Sequence, residues 1–213
     1  MNENVVKSAF DEVKIEEGFY ALIYQNEGGQ IETAEREIDN SFIQFHFCVK
    51  GKAAFQFNNG NYTLNINEQT SLLLYNPQRS LPIHLDIDPN SSLVSILISI
   101  KKFHGLFSQE ADYIPFLSED NKDKKYYKDG QISPSLSIVL NQLISNNLNN
   151  SIKSLYFKGK AYELLSLYFN RAEDANVQQC PFLVDESNVL KIRKAKDIII
   201  SRMAEPPSLQ ELA

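Results

Sequence analysis

Three side chains able to do chemistry recur at every second position of one apolar stretch: Gln44, His46 and Cys48, interleaved with Phe45, Phe47 and Val49. On a strand, that spacing puts the polar three on one face and the apolar three on the other. Imidazole and thiolate suit zinc or iron, and His84 would supply a third ligand. Against a metal, His84 shares its strand face with Asp86, opposite Ile83, Leu85 and Ile87, which suits a solvated side chain. His104 stands apart, near Gly105. No glycine-rich phosphate loop, nucleophile elbow or catalytic carboxylate pair stands out, so neither an enzyme nor a bound cofactor is expected. The chemistry left to the three is recognition, in which a few polar groups orient a small molecule among apolar walls. The alternative is that covering loops and the N-terminal arm lie over this face.

Such residues need strands to hold them, and the first hundred residues supply the pattern. Tyr62, Leu64 and Ile66 alternate with Thr63 and Asn65, and Phe55 and Phe57 with Gln56 and Asn58. Ile83, Leu85 and Ile87 do the same around His84 and Asp86. A period of two marks half-buried strands. Asn59-Gly60 suits the positive φ values of a type I′ turn between two of them. Eight strands are expected near 19–25, 31–38, 42–50, 53–58, 61–66, 70–76, 82–87 and 92–101. Many short strands with tight turns point to a sandwich or jelly roll.

Beyond Lys101 the period changes. The charged stretch from Ser118 to Gly130 reads as a solvated loop. Ser133-Pro134 then reads as an N-cap followed by proline in the first helical turn, with Leu136, Val139, Leu140, Leu143 and Ile144 at helical spacing. A second helix is expected over about 151–171. It has one stripe of Leu155, Tyr162, Leu165 and Phe169, and another of Phe157, Ala161, Leu164 and Tyr168. One helix lying on one barrel needs a single stripe, so the first set is expected to make a homodimer. A third helix is predicted over 189–204, ended by Pro206-Pro207, and Ser208 with Glu211 forms a capping box for a fourth. A capped helix that stops after one turn predicts a natural chain running past Ala213. The organisation expected is 1–130, 131–188 and 189–213.

The chain has 21 basic and 27 acidic residues, a formal charge of −6, which excludes a nucleic-acid binder spread over the whole surface. Residues 189–213 differ, with five basic and three acidic side chains. Two distant cysteines, Cys48 and Cys180, argue against a disulfide framework. No signal-type or membrane-length apolar run occurs; the longest, Leu93–Ile100, is broken by Ser95 and Ser99. A soluble, cytoplasmic protein is expected.

Ile192, Ala195, Ile198 and Ile199 on a basic helix lead into Glu205-Pro206-Pro207-Ser208-Leu209-Gln210-Glu211-Leu212-Ala213. The stretch resembles the opening of the DNA-binding domain of AraC-type transcription regulators, up to the first helix of the first helix-turn-helix. The segment from Leu155 to Leu165 is similar to the linker of their siderophore-responsive branch. The resemblance implies an α+β chain: a cupin-like jelly roll sensing a small effector, a helical linker that dimerises, and promoter DNA held only by residues past Ala213. A cupin metal set is absent. With Gly51 as the pattern's glycine, Gln44 stands at the glutamate position, the 37–40 region at the histidine pair, and Pro82 where the last histidine belongs. In that register Gln44, His46 and Cys48 point into the barrel as effector-facing residues, and Phe45, Phe47 and Val49 pack outside. The competing reading is a cupin-fold enzyme or small-molecule-binding protein with an unrelated helical tail.

Overall fold

Period-two alternation becomes strand pairing throughout the first hundred residues of the computed structural model, which describes residues 10–58, 60–107 and 125–170. Ten strands form: β1 (Phe10–Glu16), β2 (Phe19–Asn26), β3 (Glu32–Arg36), β4 (Phe42–Lys50), β5 (Lys52–Phe57), β6 (Tyr62–Asn67), β7 (Thr70–Tyr75), β8 (Ile83–Ile87), β9 (Ser91–Ser99) and β10 (Tyr126–Gln131). Three helices join them: α1 (Ile100–Leu106), α2 (Pro134–Ile144) and α3 (Asn150–Phe169). The strands make two antiparallel sheets, ordered β1-β2-β9-β4-β7-β10 and β3-β8-β5-β6. Packed face to face, they form the expected α+β, cupin-like jelly roll.

The larger sheet is buried on both sides. Its inner face meets the smaller sheet through Leu22, Leu72, Leu74, Leu93 and Leu97, against Phe55, Leu85 and Ile87. Its outer face carries Phe19, Phe45, Phe47 and Ile96, covered by Leu140 and Leu143 of α2 and Phe157, Leu164 and Tyr168 of α3. Double burial is why the apolar content of β4 and β9 is nearly continuous. The sheet and the helices share one hydrophobic cluster, across the expected division at residue 130.

All eight expected strands are present. Between β5 and β6, Phe57 pairs with Tyr62 and the Asn61 amide donates to the Asn58 carbonyl at 3.2 Å. Positive φ starts at Asn58 (+52°) and recurs at Gly60 (+82°); Asn59 lies outside the described residues. Gly51, between β4 and β5, has φ of +72°, and a Cβ there would sit 2.9 Å from Ser91 Cα. Only glycine fits that approach.

Three expectations change. Residues 126–131 are not loop: β10 pairs along β7 from Tyr126↔Tyr75 to Gln131↔Thr70. Its Lys128 and Asp129 are the charges of an edge strand, and they hid it from a hydrophobic pattern. β1 has the same disguise: Val13 and Ile15 are buried among acidic neighbours. Residues 100–106 leave strand for a short helix capped by the Ser99 hydroxyl, which places His104 on α1.

Ser133 caps α2 as predicted, its hydroxyl accepting from the Leu136 amide at 3.3 Å, with proline in the first turn. The second stripe of α3, Phe157, Ala161, Leu164 and Tyr168, is the one that packs on the sheet. The first stripe is not a free dimer face, which corrects the sequence expectation. Leu165 is 1% exposed in the same cluster, Tyr162 packs edge-on against Phe19, and Phe169 packs against Phe45, Phe103 and Phe107. Short α1, unseen in the sequence, supplies Phe103 and is why the stripe is consumed within the chain. Only Leu155, 73% exposed, remains outside. The helices predicted near 189–204 and from 208, and Cys180, lie outside the described residues.

Candidate functional site

The pleat of β4 sends Gln44, His46 and Cys48 into the space between the sheets, as their register predicted, and Phe45, Phe47 and Val49 under the helices. Gln44 is 2% exposed, and His46 and Cys48 are fully buried. Pairing places His46 opposite Ser95 of β9, and the His46 Nδ1 lies 2.7 Å from the Ser95 hydroxyl. Its Nε2 lies 3.1 Å from Gln44 Oε1, while Gln44 Nε2 donates to the Leu81 carbonyl at 2.7 Å.

The proton positions follow from the far end of this chain. Gln44 spends its amide N–H on Leu81, so its oxygen accepts and His46 Nε2 must carry the proton. Nδ1 then accepts from Ser95. Burial pushes the His46 pKa down to about 3, so the ring is a neutral donor and acceptor at physiological pH. Its ring also tilts against Phe55, centroids 4.4 Å apart.

Tyr24, fully buried on β2 beside Ser95, is the exception to this economy. Its hydroxyl makes no hydrogen bond of regular geometry among the described residues, although the Ser95 side chain lies close enough to interact with it. Burial raises the phenol's pKa well above its ordinary value, so it stays a neutral O–H. An unmade bond in a dry interior costs about 1–3 kcal/mol. Tyr24 carried no signal in the sequence, and Ser95 only the interruption of an apolar run.

Cys48 stands apart from the relay. Its thiol donates to the Lys50 and Gly51 carbonyls at 3.5 and 3.4 Å. Burial, with Glu68 adding, pushes its pKa up to about 12, so the thiolate needed for ligation or attack does not form at neutral pH. His84 does not join these two: it is exposed on the outside of the smaller sheet, 3.3 Å from Glu35. Among the described residues no three His, Cys, Asp or Glu side chains are placed to hold a metal ion.

A cleft of about 190 Å³ opens between the sheets at the β6 and β10 edges. Asn65, Asn67, Asp129 and Gln131 rim it, over Ile66 and Leu72. None of Gln44, His46 and Cys48 lines it, although Leu72 is the β7 partner of His46 and part of the interior cluster. No helix among the described residues is long and apolar enough to cross a membrane.

A family model described as the regulatory protein PchR N-terminal domain matches residues 7–182. The chain belongs to that family, so it is the sensor portion of an AraC-type regulator. The match runs through α2 and α3, which removes the reading of an unrelated helical tail. No curated protein matches the sequence significantly. Among solved structures, ToxT from Vibrio cholerae is 15% identical, with 92% of this chain aligned to 69% of that one at a TM-score of 0.37. A ToxT structure with an unsaturated fatty acid bound is 13% identical over 85% of this chain and 64% of that one, TM-score 0.37. A cupin protein from Bacteroides fragilis is 11% identical over 47% of this chain and 84% of its own, TM-score 0.31.

Proposed function

We propose that this member of the PchR N-terminal family takes a small effector at the inner face of its sandwich and passes the bound state to a homodimer through α3. The observation that carries the reading is the buried Tyr24 hydroxyl, which makes no hydrogen bond of regular geometry beside a satisfied Ser95–His46–Gln44 relay. Binding sites combine apolar walls with a few such orienting groups. All four groups are uncharged, so recognition rests on hydrogen bonds and shape.

The cleft between β6 and β10 is the way in, because its floor residues Ile66 and Leu72 belong to the interior cluster. Cys48, with its thiol held by two carbonyls, completes the wall. The protein acts in the cytoplasm as a regulator without catalytic chemistry. DNA is held by the part of the regulator past Ala213.

The siderophore-branch resemblance of residues 155–165 makes ferric siderophores the first effectors to try. Calorimetric titration of catecholate, hydroxamate and phenolate complexes against wild type and His46→Leu tests the site. Saturable binding that weakens at least tenfold in the variant is expected. Binding of equal strength in both would move the site away from β4.

The dimer surface falls on what α3 leaves outside, Leu155 and Ile152, three residues apart on one face and 73% and 50% exposed. Sedimentation of wild type and the Ile152→Glu/Leu155→Glu variant across a concentration series checks it. A wild type that pairs and a variant that does not is the expected result.

A further inference from the structure

β1 is an edge strand of the larger sheet whose two faces serve different layers. Among the described residues it stands at the sheet edge and pairs only with β2. Inward, Glu12 receives a bidentate pair of hydrogen bonds from Arg36 of β3, at 2.9 and 3.0 Å. Arg36 lies 5.1 Å over the Tyr20 ring, and Phe10 packs on Tyr24 with centroids 5.3 Å apart. The inner end of β1 is therefore fastened to the residues around the Tyr24 hydroxyl.

Outward, the same strand holds the helices. Lys153 of α3 meets Asp11 at 2.5 Å, and the Ser154 hydroxyl donates to the Lys14 carbonyl at 3.4 Å. Glu16 takes Lys102 of α1, Lys158 of α3 and, at 3.3 Å, the Tyr162 hydroxyl. A bulge makes this possible. Lys14 pairs with Tyr20 but Glu16 pairs with Phe19, so one residue, Ile15, is looped out of register. Without the bulge, Glu16 would point inward with Glu12 and Lys14; with it, Glu16 shares the helix-facing side of Phe19. Re-aiming one side chain is what a bulge does.

We infer that β1 is the coupling element between the sandwich interior and α3: Arg36 and Glu12 set its position on one side, and Glu16, aimed by the bulge, sets α3 on the other. The inference rests on the reading that the interior takes an effector and α3 carries its state onward. A contiguous, bidentate-anchored strand is the kind of element both ends can bias.

The test needs no effector, so its failure and that of the binding reading are separable. Amide hydrogen exchange is followed on the full chain for wild type, Arg36→Gln, Glu12→Gln, Glu16→Gln and the Arg36→Gln/Glu16→Gln double variant, with Thr33→Val as a control on β3 that leaves β1 alone. Arg36→Gln and Glu12→Gln, which touch no helix, are expected to speed exchange in α3 residues 152–165 about fivefold more than in β9, whose exchange follows global stability. Glu16→Gln should do the same, and the double variant no more than either single, because all three release one strand. Unchanged α3 exchange in both inner-face variants would overturn the inference. So would multiplied effects in the double variant, or equal acceleration of α3 and β9, which would reduce the contacts to general stability. Glu12→Gln carries the test if Arg36→Gln does not fold.

Discussion

The two faces of the six-stranded sheet are made by the same strands and do opposite things. Toward the helices, Phe45 meets Phe103, Tyr168 and Phe169 with centroids between 5.2 and 6.2 Å. Edge-to-face and tilted rings at such distances give dense, directional packing. Toward the smaller sheet, one residue further along the same strand, His46 spends both ring nitrogens while the Tyr24 hydroxyl makes no hydrogen bond of regular geometry. The outer face is built for rigidity. The inner face accepts polar groups that a purely structural core would replace with leucine. A sensor has reason for this asymmetry, since its interior must recognise something while its helices hold a fixed geometry.

The largest effect should come from the rigid face. Phe45→Ala removes a fully buried ring at the centre of the aromatic cluster and is expected to cost about 3–5 kcal/mol in denaturant unfolding. A loss below about 1 kcal/mol would mean the helices close the cavity easily and the face is not the rigid one. On the inner face, His46→Leu keeps apolar volume but strips partners from Ser95 and Gln44, at a cost of about 1–3 kcal/mol. It carries a pH signature too. His46 is neutral when folded, its pKa near 3, while the unfolded side chain protonates near 6.5. The unfolded state therefore binds more protons below 6.5, and stability falls as pH drops from there toward 3. Wild type should show this slope between pH 6.5 and 5, and His46→Leu should have lost His46's share of it.

A smaller effect sits at the rim of the helix face. Hydrogen bonds from Lys102, then Lys158, hold Glu16 near pH 2, below its ordinary 4.5. A depressed carboxylate contributes fully above 4.5 and loses that contribution as pH falls toward 2. Glu16→Gln should lower stability by about 1 kcal/mol at pH 7, the discounted worth of a solvent-screened cluster. The gap from wild type should hold above pH 5 and close by pH 2. A gap that stays open at pH 2 would show that Glu16 acts through shape and not charge.

How much of this was legible follows from which pattern each element obeyed. The interior strands announced themselves because alternation is dictated by burial on one face. Ser133-Pro134 announced α2 because a cap and a proline solve the same end-of-helix problem locally. β10 and β1 did not, since an edge strand needs charges that imitate a loop. The two-faced role of β4 was readable, down to which three residues point inward. The partners that give it meaning were not: Ser95 meets His46 only through strand register, and Arg36 meets Glu12 across two sheets. Such long-range pairings leave no local spacing to find. The stripe on α3 misled for the same reason, because its partners come from α1 and β2.

The smallest stability effect is the most discriminating. Tyr24→Phe removes one oxygen from the inner face and nothing from the outer. Where a buried tyrosine hydroxyl is bonded, its loss costs about 1 kcal/mol; here the hydroxyl was desolvated on folding and gained no hydrogen bond of regular geometry in return. The substitution should therefore leave stability unchanged or raise it by up to about 1 kcal/mol, read from the denaturant midpoint at constant slope. An effector that uses this hydroxyl reverses the sign. Its affinity should fall about tenfold in Tyr24→Phe, the worth of one buried hydrogen bond to a neutral group. Stability and binding then move in opposite directions from the same oxygen. A clear loss of stability in Tyr24→Phe would mean the hydroxyl already has a partner in solution, and the inner face would look as satisfied as the outer one.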